Sequence, residues 1–196
     1  MTIYCATTNP GKLKEFGLIV AHYSQGRVAV EPVPGLKSVA APEESETTFS
    51  GNAAIKANFY SSLTTGLVFA DDSGLACDAL NGAPGVYSAR YAGEHATDAA
   101  NNAKLLAEIA PHANRTARFV CAIAVAEQGK TIATFEDFVE GRIVDEPKGT
   151  FGFGYDPLFF YPPFGTTFGE APPEKKLFVS HRGKAMAAMI ASLRQR

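Results

Sequence analysis

The chain has 196 residues, 46% of them hydrophobic and 19% charged, and carries a formal net charge of −2. This is the balance of a fully folded globular protein and excludes a disordered one. Lysines and arginines are scattered, which argues against duplex nucleic acid or an anionic membrane as the main partner while leaving room for a polyanionic small ligand.

The three cysteines, Cys5, Cys77 and Cys121, are far apart and odd in number. They read as reduced thiols, Cys5 and Cys121 lying in apolar runs as small core residues. No apolar run approaches the roughly 20 residues of a membrane span, and no basic segment followed by an apolar one opens the chain. A cytoplasmic location is expected.

Residues 2–7 form a β-branched and aromatic run, punctuated by Thr8-Asn9-Pro10-Gly11 before a helical pattern carrying Leu13, Phe16 and Val20. Residues 27–30 read as a second strand. Pro32, Pro34, Ala41 and Pro42 mark a long connection leading into Glu43-Glu44-Ser45-Glu46. A helix is predicted over 48–63, with Phe49, Ala53 and Tyr60 toward the core and Asn52 and Lys56, four apart, in one polar column. Residues 67–70 read as a buried strand ending abruptly in the polar turn Asp71-Asp72-Ser73-Gly74.

Thr97 opens a helix through Ile109 that Pro111 stops. Residues 116–127 and 131–144 then form an antiparallel hairpin joined by Gln128-Gly129. Ser180 can cap a last helix, whose Met186, Met189, Ile190 and Leu193 make one apolar stripe for the core. Early alternation of helix and strand, followed by long adjacent strands, predicts an α/β or α+β class with a mixed sheet. No linker or repeat interrupts residues 1–196, so a single domain is expected. Two lobes around a cleft, with the hairpin standing apart from the helical ends, are consistent with this order.

Four stretches carry the chemistry. In Thr7-Thr8-Asn9-Pro10-Gly11-Lys12 a strand ends and a lysine opens a helix, so first-turn amides, small polar side chains and one cation can cradle a phosphate. It lacks the Walker A pattern, and an ordinary turn with a solvated lysine stays open. Glu43, Glu44 and Glu46 in the connection, with Asp71 and Asp72 at the strand end, offer the oxygen ligands that magnesium takes alongside waters and phosphates. The glutamates read equally as a solvated loop. In an extended strand Asp71 and Asp72 point to opposite faces, so at most one faces the cleft unless the turn has already begun there.

Gly149-Thr150-Phe151-Gly152-Phe153-Gly154-Tyr155-Asp156-Pro157 combines glycines that allow close backbone approach with aromatic rings for stacking a base. The same rings would also plug a lobe junction. Lys175-Lys176 precedes Ser180-His181-Arg182 at a helix start, where Arg182, a donor only, could read a 6-oxo purine and disfavour adenine.

These stretches resemble the inosine triphosphate pyrophosphatase family, the non-standard purine NTP pyrophosphatases. Thr8-Asn9-Pro10-Gly11-Lys12, the Glu44, Phe49, Asn52 and Lys56 series, and 69–75 around Asp71-Asp72-Ser73 match its blocks in order. So do Gly82-Ala83-Pro84-Gly85 through Tyr91, Phe153-Gly154-Tyr155-Asp156-Pro157 and Ser180-His181-Arg182-Gly183.

The resemblance implies an α/β fold with a long mixed sheet, two lobes around a nucleotide cleft, and a homodimer. It implies that Thr7, Thr8, Asn9, Pro10, Gly11, Lys12 and Lys56 hold phosphates, that Glu43 or Glu44 together with Asp72 hold magnesium, and that Asp72 activates water. It places Ser73, Phe153, Gly154, Tyr155, Asp156, Lys176, His181 and Arg182 on the nucleotide. The expected reaction splits ITP, dITP or XTP into the monophosphate and pyrophosphate through water attack on the α-phosphate.

Two departures stand out. Ser50-Gly51 occupies the place of an acidic residue before Asn52, and Phe168-Gly169-Glu170 replaces an Ala-Glu-Leu-like segment read as surface. Rival readings are a related septum-formation-type pyrophosphatase, whose relatives lack the Ser-His-Arg block, and a nucleotide sensor without turnover.

Overall fold

The computed structural model describes residues 1–194. In chain order the elements are β1 (Thr2–Cys5), α1 (Pro10–Ser24), β2 (Ala29–Pro32), α2 (Phe49–Ser61), β3 (Val68–Cys77) and α3 (Asp98–Ile109). They continue with β4 (Thr116–Glu127), β5 (Lys130–Ile143), β6 (Phe159–Tyr161), β7 (Thr166–Thr167), α4 (Pro173–Val179) and α5 (His181–Leu193). The strands form one mixed sheet in the order β2-β1-β3-β4-β5-β6-β7. β1 is parallel to β2 and β3, and β6 is antiparallel to β5 and β7. Helices flank this sheet, giving an α/β protein.

Local chemistry sets the boundaries. The side chains of Asn9, Thr48 and Thr97 cap α1, α2 and α3 by accepting from Lys12, Gly51 and Ala100 amides. The β4–β5 turn puts both Gln128 (φ 51°) and Gly129 (φ 79°) in the left-handed region, as a two-residue hairpin loop requires. β2 begins two residues later than its sequence pattern suggests. It is an edge strand and can therefore include Pro32, which pairs with Cys5 in register.

One expectation is overturned at β3. The strand does not end at Asp71 but runs on through Asp72, Ser73 and Gly74 to Cys77. A polar pair can sit inside a buried strand here because each carboxylate has a cation beside it.

Contacts divide the chain into two compact units. The first comprises 1–72, 121–137 and the described residues from 181 onward; the second comprises 73–120 and 138–180. In the first, alternate residues Ala122, Ala124 and Ala126 of β4 share a cluster with Ala53, Ala57 and Tyr60 of α2, and Phe49 packs on it. These small side chains let helix and strand approach closely. α1 packs against α5, whose Met186, Met189, Ile190 and Leu193 are all buried.

In the second unit Leu75, Leu105, Ile109, Phe119, Phe159 and Phe168 belong to a separate cluster. The hairpin does not stand apart from the helices as expected, because its tip, 121–137, belongs with α1, α2 and α5. Cys5, Cys77 and Cys121 are buried and free. Among the described residues no helix is long and apolar enough to cross a membrane.

Candidate active site

In the first unit the parallel pairing of β1 with β3 sets Cys5 beside Phe69. The loop after β1 therefore runs alongside Asp71. Asn9 Oδ1 accepts from the Lys12 amide at 3.1 Å and Thr7 Oγ1 from the Asn9 amide at 3.2 Å. This turns the first turn of α1 inward, with Pro10 at a position that needs no N–H. Lys12 Nζ then lies 2.8 Å from Asp71 Oδ2. Arg182, at the start of α5, approaches the same oxygen with Nε at 4.0 Å and bonds Glu15 of α1 through its NH1 group. Thr8 is exposed and His181 buried.

Asp72 faces the other way, toward α2. Its Oδ2 accepts from Asn52 Nδ2 at 3.2 Å, and Lys56 Nζ stands 3.7 Å from its Oδ1 and 3.2 Å from Glu44 Oε1. Asn52 Oδ1 also accepts from the Glu46 amide at 3.0 Å, so one buried asparagine ties Asp72 to the acidic connection. Both members of the polar column of α2 thus reach Asp72, and Lys56 reaches Glu44 as well. Glu44 joins this group, whereas Glu43 is exposed.

The Ser50-Gly51 departure has a steric reason. A Cβ on Gly51 would lie 2.7 Å from the Glu46 Cβ and 2.9 Å from Thr48 Oγ1, so the folded connection fills the space of a side chain.

The two neighbouring acids differ electrostatically. Burial pushes both carboxyls up, but Lys12, Arg182 and Lys56 overcome it at Asp71, which lies below the usual range. At Asp72 burial prevails, with Glu44 adding to it and Lys56 and Lys12 only partly offsetting it, so that carboxyl lies above its usual range. Burial acts to lower the Lys56 ammonium, but Asp72, Asp71 and Glu44 outweigh it and hold it above its ordinary value.

Among the described residues no three His, Cys, Asp or Glu side chains are gathered into a metal cage. Glu44 and Asp72 nevertheless converge on one cationic point, the Lys56 ammonium. Two oxygen donors at such a point fit a hard divalent cation that completes its shell with water and phosphate.

In the second unit the glycine-aromatic loop folds around Asp156. Asp156 Oδ2 accepts from the Phe153 amide at 2.9 Å and pairs with Lys176 Nζ at 2.6 Å, both side chains being almost fully buried. Lys176 also lies 5.3 Å from the Phe153 ring centroid. Gly152 (φ 76°) must lack a side chain, since a Cβ would come within 1.9 Å of Asp156 Oδ2.

The rings do not all face one ligand. Phe151 is exposed, Phe153 half-buried, and Tyr155 buried in the core with its hydroxyl donating to the Ser88 carbonyl at 2.8 Å. The 168–170 segment is not the surface stretch expected. Phe168 is fully buried among Phe119, Phe159 and Tyr161, and only Glu170 reaches solvent. Ser73 is half-buried in β3.

Residues 3–192 match the model of the Ham1 family. The chain belongs to the Ham1 family. That membership decides between the two pyrophosphatase families entertained from sequence.

The dITP/XTP pyrophosphatase of Desulforamulus reducens is 50% identical over 188 residues, covering 95% of this chain and 92% of the relative. The protein of the same name from Geobacter sulfurreducens is 48% identical over 186 residues, covering 94% and 92%. Among solved structures, a HAM1 protein from Coxiella burnetii superposes with a TM-score of 0.90 at 37% identity, covering 100% of both chains. Asn52, read from sequence as part of the polar column of α2, binds Asp72 directly, and Glu15 joins the site with no signal in the sequence. Glu15 sits one turn beyond Lys12, but its partner lies at the far end of the chain.

Proposed function

We propose that this protein hydrolyses non-standard purine nucleoside triphosphates, ITP, dITP and XTP, to the monophosphate and pyrophosphate, removing them from the nucleotide pool. The observation that carries the reading is Asp72, a buried carboxylate of β3 that accepts from Asn52 and stands beside Lys56 and Glu44. A carboxylate so placed can take a proton from water. The names of the Desulforamulus and Geobacter relatives support the substrate class.

In this reading the loop Thr7, Thr8, Asn9, Pro10, Gly11 and Lys12, with Lys56, binds the triphosphate through helix N-terminal amides and two ammonium groups. Magnesium, held by Glu44 and Asp72, would supply charge neutralisation for the phosphates and the departing pyrophosphate. Asp72 takes the proton as water adds to the α-phosphate in line with the pyrophosphate oxygen, which leaves with the bond electrons. Ser73, the Phe153–Asp156 stretch, Lys176, His181 and Arg182 hold the nucleoside, and the Arg182 donors favour a 6-oxo over a 6-amino purine. The enzyme is taken to be a cytoplasmic homodimer with no nucleic-acid or membrane partner; three buried free thiols suit a reducing compartment.

The test is pyrophosphate release from ITP, XTP, GTP and ATP in parallel, with magnesium and with chelator. Metal-dependent cleavage of ITP and XTP well above ATP and GTP is expected. Absence of turnover on ITP and XTP would overturn the reading, and nucleotide binding without turnover would make the chain a sensor.

A further inference from the structure

The glycine-aromatic loop of the second unit is held from outside by α3. The Gly154 amide donates to Asp98 Oδ2 at 2.7 Å, and the Gly154 carbonyl accepts from Asn102 Nδ2 at 3.1 Å. Two side chains one helical turn apart thus bind both backbone polar groups of one residue. Gly154 has φ 62°, and no atom would crowd a Cβ there, so its glycine serves conformation rather than space.

The adjacent asparagine does the equivalent for another loop. Asn101 Oδ1 accepts from the Ala92 amide at 2.8 Å and its Nδ2 donates to the Ala89 carbonyl at 3.2 Å.

The clasp spans a gap on this face of the loop. A pocket of about 460 Å³ opens between α3 and the loop, lined by Ala99, Ala103 and Leu106 on one side and Pro147, Phe151 and Pro157 on the other. On that side two hydrogen bonds to Gly154 tie the loop to α3. The next amide along, that of Phe153, binds Asp156 Oδ2, the oxygen that also meets Lys176. A displacement at Gly154 therefore passes through one residue to the buried Asp156–Lys176 pair.

We propose that Asp98 and Asn102 are positioning residues for the reaction, clasping Gly154 so that Phe153, Asp156 and Lys176 are pre-set for the nucleoside. The proposal rests on the pyrophosphatase reading above, in which those three residues contact the substrate. Neither clasp residue touches the reacting atoms, so their loss acts on substrate binding and selectivity rather than on proton transfer.

The experiment measures Asp98→Ala, Asp98→Asn and Asn102→Ala in the full chain. Steady-state kinetics on ITP and ATP are paired with residue-resolved amide hydrogen exchange. Each alanine variant is expected to raise KM for ITP about tenfold, the size of one lost hydrogen bond, with kcat within about threefold of the parent. Exchange at the Phe153 and Gly154 amides should rise by a similar factor.

Asp98→Asn keeps an acceptor oxygen for the Gly154 amide and should stay near the parent in both readouts. Asp98 is exposed, so its variants remain informative if Asn102→Ala folds poorly. Unchanged exchange at residues 153 and 154, or raised exchange with parental KM and ITP-to-ATP preference, overturns the proposal. A parent protein that turns over neither ITP nor XTP instead overturns the underlying reading, so the two failures are told apart by the unmodified enzyme.

Discussion

Asp71 and Asp72 are neighbours in one strand yet meet different cations on its two faces, Lys12 Nζ lying 2.8 Å from Asp71 Oδ2 and Lys56 Nζ 3.7 Å from Asp72 Oδ1. The alternation of an extended strand sets the acid proposed to accept the proton on one face and its neighbour on the other. Asp72→Asn keeps the shape and should lower kcat by roughly 10²–10⁴-fold with little change in stability. Asp71→Asn removes the charge that pairs with Lys12 and faces Arg182 Nε. Breaking such a buried pair costs about 3–5 kcal/mol, which lowers Tm by on the order of 10 °C in a chain of this size. Thermal melts and ITP kinetics on the two variants check the division; equal losses of stability from both would refute it.

Glu44 and Glu43 are adjacent, but only Glu44 reaches Lys56. Glu44→Gln should raise the magnesium concentration for half-maximal activity by about 10–100-fold, while Glu43→Gln leaves it unchanged. Magnesium titrations of both variants decide the assignment, and a larger shift from Glu43→Gln would reverse it.

Much of this arrangement is legible in the residues, and what is not has physical causes. The helix starts near Asn9, Thr48 and Thr97, the Gln128-Gly129 turn and the Met186 stripe are local patterns, and the structure has them in place. The continuation of β3 past Asp71 is hidden because two consecutive aspartates look like a turn until their cations arrive from α1 and α2. The two units leave no linker, since the chain passes between them inside β3, β4 and β5 and between α4 and α5. Glu15 with Arg182, and Asp98 and Asn102 with Gly154, join residues far apart in the chain that no local period connects.

Arg182 is almost fully buried, bonded to Glu15 and set 5.9 Å from the Phe16 ring centroid. Its guanidinium is therefore held rigidly, which a donor reading a 6-oxo group requires. Arg182→Ala should reduce the ITP-over-ATP ratio of kcat/KM by at least about tenfold, more than it lowers kcat on ITP. Stability should also fall, because Glu15 loses its partner. Equal losses on ITP and ATP would remove Arg182 from base recognition.

The buried thiols make stability fall in alkali. Burial, with Asp78 adding to it, pushes the Cys77 thiol from an ordinary 9.0 up to about 12. Burial likewise raises Cys5 and Cys121. A folded-state value above the unfolded one means the contribution is complete below pH 9, and it is lost as pH rises toward 12 because only the unfolded chain ionises. At pH 10 a thiol with these values contributes on the order of 1 kcal/mol less than at pH 8. Urea unfolding at both pH values should show the parent losing more stability than Cys77→Ala by that order. An identical pH dependence in the two proteins would mean that Cys77 ionises as readily folded as unfolded.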